Sequence, residues 1–147
     1  MFLRLNKKGM PCIFYLDYYG DVFYKEKSCF VVNPMKNWID KLLIIRKYIP
    51  DCEYKMHVFE DNVLGWGFID KQNPTIYFLV LVCRGKEFSC RLKLSHKEAE
   101  YFDISQNALS THVRVSGHYG EFGVIRNKCA IFTSKPIYFQ VKKENLI

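Results

Sequence analysis

Long apolar runs are missing from this chain. The longest, Ile76 to Cys83, is far shorter than the roughly 18 residues a membrane-crossing helix needs, so no membrane partner is expected. Glycine and proline are sparse, at eight and five of 147 residues, and nowhere do they gather with serine into an interdomain linker. No segment repeats at a fixed period. Arg4, Lys7 and Lys8 are not followed by a long apolar stretch, so a secretion signal is not indicated and a cytoplasmic location is expected.

Chemical signatures are scarce as well. No Cys-x-x-Cys or His-x-x-x-His occurs, and His112, His118 and Cys129 lack the tight pairs that hold a tetrahedral zinc, so no metal is expected. Gly-x-x-x-x-Gly-Lys-Ser/Thr and Gly-x-Gly-x-x-Gly are absent, which argues against a nucleotide cradle, and no cofactor is expected. No Gly-x-Ser-x-Gly elbow appears either. Glu53-Tyr54-Lys55, with Asp40 or Asp51 upstream, matches the short pattern of a metal-dependent nuclease. Glu53 begins its strand instead of sitting mid-sheet, and Glu alternating with Lys is ordinary on an exposed strand.

Aromatic residues are abundant, with twelve Phe, ten Tyr and two Trp. Such side chains suit a pleated, half-buried surface, so β structure is expected. With 49% hydrophobic and 25% charged residues the chain has the means to build a core, and residues 1–147 read as a single domain. The six cysteines are scattered through apparent strands, as free buried thiols would be.

The spacing predicts a hairpin over Cys12 to Lys27, then a helix over about 34–49 opened by Asn33-Pro34, with Trp38, Leu42, Ile45 and Ile49 on its apolar stripe. Glu53 to Glu60 and Val63 to Asp70 flank Asp61-Asn62 as a second hairpin. Gly65 and Gly67 suggest a bulge there. Ile76 to Cys83 is apolar on both faces and reads as the central strand. Phe88 to Leu94 alternates, with Ser89, Arg91 and Lys93 outward. Ser95 and Glu98 have capping-box spacing, which predicts a short second helix over His96 to Phe102. Strands are expected at about Leu109 to Ser116, Val124 to Phe132 and Ile137 to Val141. The fold class is α+β: a mainly antiparallel sheet or small barrel carrying one principal amphipathic helix.

Lys and Arg exceed Asp and Glu by 22 to 15, a formal net charge of +7. The excess lies in residues 84–147, with 11 basic and 6 acidic groups against 11 and 9 before them. Arg84, Lys86, Arg91, Lys93 and Lys97 cluster in sequence, and Arg114 joins them if its strand lies alongside; such a strip can track phosphates. The reading that follows is a non-enzymatic binding protein acting on a nucleic acid or nucleoprotein machine, such as an accessory or inhibitor protein of a mobile element. One alternative is a metal-independent ribonuclease built from His112, Arg114, His118 and Arg126, residue types that supply a base and cations for a phosphorane. The other is a protein-binding inhibitor or immunity factor that touches no nucleic acid.

Overall fold

The computed structural model describes residues 21–25, 28–32, 36–48, 52–72 and 77–144. Strands β1 (Asp21–Lys25) and β2 (Ser28–Val32) form an antiparallel pair and are followed by helix α1 (Lys36–Tyr48). Eight strands come next: β3 (Cys52–Glu60), β4 (Val63–Asp70), β5 (Tyr77–Cys83), β6 (Phe88–Lys93), β7 (Glu98–Asp103), β8 (His112–Ser116), β9 (Tyr119–Val124) and β10 (Cys129–Ser134). Helix α2 (Lys135–Lys143) completes the described elements. The eight strands pair antiparallel in the order β3-β4-β5-β10-β7-β8-β9-β6. This sheet curls into a nearly closed barrel: Val58 of edge strand β3 and Leu92 of edge strand β6 share one core with Leu79, Phe122 and Phe132. The expected α+β class, a barrel-like antiparallel sheet with two helices, is what the chain adopts.

Strand β5 shows why the fold has two cores. Tyr77, Leu79, Leu81 and Cys83 point into the barrel, whereas Phe78 and Val80 point outward against α1 and α2 through Ile45, Ile137 and Val141. A strand covered on both sides must be apolar on both, as the run Ile76 to Cys83 is. Strand β6, covered on one side only, buries Leu92 and leaves Ser89, Arg91 and Lys93 exposed. Cys83, Cys90 and Cys129 are free thiols.

The second expected hairpin forms as β3 and β4 around Asp61-Asn62, but the bulge lies in β3, between Met56 and Val58. Gly65 and Gly67 are instead places where the barrel interior crowds the backbone, since a Cβ would lie 2.6 Å from Leu81 Cδ2 at the first and 2.2 Å from Tyr77 Oη at the second. In α1, Leu42 and Ile45 pack as the apolar stripe requires. Asn33, Pro34, the side chains of Trp38 and Ile49, and the Cys12 to Gly20 arm of the first hairpin lie outside the described residues.

Three expectations are corrected. Residues 98–103 form β7, not a helix. The Ser95 and Glu98 spacing is that of a capping box, but a single turn is a costly nucleus, and hydrogen bonding to β8 and β10 on either side favours the strand. Val124 to Phe132 is two strands, broken at a turn where Asn127 takes a positive φ of 56°. Ile137 to Val141 is helical: Ser134 stands at the N-cap, Pro136 occupies the first turn, and Ile137 and Val141 bury one face at i, i+4 spacing.

Among the described residues three buried side-chain polar atoms lack a hydrogen-bond partner: His96 Nε2, Tyr101 Oη and Thr133 Oγ1. The Tyr101 hydroxyl is buried without a hydrogen bond, and an unmatched buried polar group costs about 1–3 kcal/mol. Tyr101→Phe keeps the ring that packs on Tyr77 and Phe122 and is expected to raise folding stability by about 1 kcal/mol, read as a higher midpoint in urea denaturation. A fall of similar size would show that the hydroxyl is paired in solution.

Candidate functional site

Three turns meet at one end of the barrel. Asp61-Asn62 joins β3 to β4, Arg84 to Glu87 joins β5 to β6, and Ile125 to Lys128 joins β9 to β10. They are tied by backbone bonds: Arg84 N–H donates to the Asn62 carbonyl at 2.8 Å and Cys83 N–H to the Lys128 carbonyl at 2.9 Å. Gly85, at a φ of 104° that suits glycine, donates to Asn127 Oδ1 at 2.7 Å. The turns are thereby a rigid rim.

A cleft of about 640 Å³ opens beside this rim, with Leu64 and Val82 among its apolar lining and Glu60, Asp61, Asn62 and Arg84 as its polar groups. Phe59 lines it as well and is 79% exposed. A phenylalanine ring left in water on a strand that has a core to fill is the unusual observation here. The apolar lining continues along the same face of β3 through Met56 and Tyr54, both exposed, beside Trp66 and Phe68 of β4. Tyr54 meets Phe68 edge-on at 5.6 Å between centroids. Burial, and then the nearby Glu60 carboxylate, push the Cys90 thiol up to about 11, which places Glu60 close to the gap between β3 and β6. The arrangement offers an exposed aromatic ring with polar residues around one concavity, the combination that holds a small polar ligand with apolar faces.

The basic residues singled out in the sequence lie on several elements. Arg84 and Lys86 lie in the rim turn, Lys97 lies at the opposite barrel end, and Arg91, Lys93 and Arg114 lie on outer strand faces. Two of them are matched: Arg114 is 3.6 Å from Glu100, and Arg91 stands opposite Glu121 with its guanidinium 4.6 Å from the Tyr119 ring centroid. Glu100 also binds Lys135 at 3.3 Å, and that hydrogen bond, ahead of the charges of Lys135, His112 and Arg114, holds its carboxyl below the usual range. The ribonuclease constellation does not assemble either. His118 and Arg126 flank opposite ends of β9, a six-residue strand about 20 Å long, while His112 stacks on Phe102 and pairs with Glu100. Among the described residues no cluster of His, Cys, Asp and Glu is arranged to hold a metal, and no helix is long and apolar enough to cross a membrane.

No protein-family model matches the chain. It is similar to an alpha-amylase of Geobacillus stearothermophilus, with 29% identity over 129 residues, 84% of this chain and 22% of that protein. Among solved structures it resembles a crystal structure of an AmyP variant in complex with maltotriose, with a TM-score of 0.50 and 12% identity over 69% of this chain and 20% of that one. The chain thus spans about a fifth of the length of either protein. The alpha-amylase match overturns the nucleic-acid and nucleoprotein reading, and with it the mobile-element accessory and inhibitor roles. Charge was the weak premise: a +7 total fixes no partner once carboxylates from neighbouring strands meet the cations.

Proposed function

We propose that this chain is a non-catalytic carbohydrate-binding domain that holds α-1,4-linked glucan in the Phe59 cleft. The alpha-amylase similarity across 84% of the chain carries the reading, and the maltotriose in the AmyP structure indicates the ligand class. The cleft chemistry supports it. A glucose ring presents C–H groups on its faces and hydroxyls at its rim; an exposed phenyl ring packs the first, while carboxylate, amide and guanidinium groups bond the second in pairs. Glycoside cleavage needs two carboxyl groups on either side of the scissile bond. Glu60 and Asp61 are consecutive at one hairpin tip, an arrangement that serves binding and not hydrolysis.

Isothermal titration with maltotriose and maltoheptaose tests the reading. Wild-type protein is expected to bind both saturably. Phe59→Ala is expected to weaken binding by about tenfold or more, the worth of one aromatic anchor, and Arg84→Ala to weaken it by a comparable factor. Phe139→Ala removes an exposed aromatic on α2 and is expected to change nothing. Absence of saturable binding to either oligosaccharide, or full affinity in Phe59→Ala, would refute the assignment.

A further inference from the structure

The barrel interior holds a polar contact that core packing does not require. His57 is the extra residue of the β3 bulge: Met56 is paired with Trp66 and Val58 with Gly65, leaving His57 between them. Its Nε2 is hydrogen bonded to the Tyr77 hydroxyl. Tyr77 is fully buried and reaches His57 across position 67, where any Cβ would lie 2.2 Å from its oxygen and 3.1 Å from His57 Nε2. Val58, next along the chain, belongs to the barrel core, and Phe59 after it lines the cleft. A bulge re-aims the side chains that follow it.

We infer that His57, gripped by Tyr77, is the positioning residue of the cleft, and that a proton on His57 releases the bulge and with it the presentation of Phe59. The functional half of this inference rests on the glucan-binding reading above. The ionisable groups that bear on His57 are Lys55 on its own strand and Tyr77 on β5. Behind Tyr77, Tyr101 and His96 meet its ring edge-on at 5.6 and 6.2 Å, with His118 acting on His96; β4 faces the pair with Gly67. Burial, and then the charge of Lys55, lower the His57 pKa to about 4. His57 is therefore neutral at pH 7, and in the tautomer with its proton on Nδ1 its Nε2 accepts the Tyr77 O–H.

An unfolded histidine titrates near 6.5 and the folded one near 4, so between those values the unfolded chain binds more protons. The contact is fully stabilising above the upper value and is lost as pH falls through the lower one. Protonated His57 no longer accepts a hydrogen bond at Nε2, which leaves the Tyr77 hydroxyl proton without its acceptor. The Tyr101 hydroxyl and His96 Nε2, both buried and unpartnered, belong to side chains that abut the Tyr77 ring, so a second arrangement has partners available.

The test follows the His57 ring and the Phe59 backbone amide by NMR from pH 7 to about pH 3, alongside maltoheptaose titration at each pH. The Phe59 amide is expected to titrate with the His57 midpoint, and affinity to fall roughly fivefold or more as the competent fraction drops. His57→Gln retains an oxygen acceptor without a titrating proton. It is expected to show a flat pH profile for both readouts, whatever its affinity at pH 7. A Phe59 amide indifferent to the His57 titration, or an unchanged pH profile in His57→Gln, overturns the inference. Absence of maltoheptaose binding at pH 7 would remove the glucan reading alone, because the two NMR titrations still decide whether His57 sets Phe59.

Discussion

Asp103→Ala is expected to lose about 3–5 kcal/mol of folding stability, because it strips partners from several buried groups at once. Asp103 ends β7 and is 8% exposed. One carboxylate oxygen accepts the Ser105 N–H at 2.7 Å and the Ser105 hydroxyl; the other accepts the N–H groups of Asn107 and Ala108, each at 3.0 Å. The loop so organised holds the rest of that barrel end. Ser105 Oγ accepts from Ile131 N–H at 3.2 Å, Asn107 Nδ2 donates to the Cys129 carbonyl at 3.0 Å, and Lys41 of α1 donates to the Ile104 carbonyl at 3.0 Å. Burial lowers the Lys41 pKa while the Asp103 charge raises it, so the substitution also removes a countercharge from a buried ammonium. Asp103→Asn keeps an acceptor on one side and turns an amide toward two N–H donors on the other, so about half of the loss is expected. Urea denaturation with an unchanged slope would measure both. A loss below about 1 kcal/mol for the alanine variant would mean that water replaces the carboxylate at little cost.

Local signals were legible in the sequence, and they are the ones that held. The Asp61-Asn62 hairpin, the alternation of β6 and the double-faced apolar run of β5 each follow from a pattern within one segment. The errors arose where a neighbour decided. Glu98 to Asp103 follows a capping-box spacing, but Tyr101 and Asp103 turn inward at strand spacing. For α2 the sequence carries the signal: Ser134, Pro136 and the Ile137–Val141 spacing describe a helix start and a helix face. The site was the least legible part. Phe59 and Arg84 come together only because Val63 pairs with Cys83 in the β4-β5 register, and no pattern in the sequence separates an exposed Phe from a core one. Register likewise sets Glu100 opposite Arg114 and Glu121 opposite Arg91.

Gly67→Ala is expected to lose about 2–4 kcal/mol, more than alanine at a glycine of ordinary strand geometry, because a buried ring stands in the way. Its Cβ would lie 2.2 Å from Tyr77 Oη and 2.7 Å from Cζ. The ring is shut in by Tyr101, His96 and His57. Gly65→Ala supplies the contrast. There the obstacle is 2.6 Å away but is Leu81 Cδ2, the far end of a flexible side chain, so a loss of about 1–2 kcal/mol is expected. Adding Tyr77→Phe to Gly67→Ala removes the clashing oxygen and not Cζ, so a coupling of about 1 kcal/mol is expected between the two sites. Oligosaccharide affinity should fall in Gly67→Ala even under conditions where the variant is fully folded, since a displaced Tyr77 no longer holds His57 and the bulge that aims Phe59. Equal losses at positions 65 and 67, with additive energies and unchanged affinity, would reduce both glycines to ordinary strand defects and detach Tyr77 from the cleft.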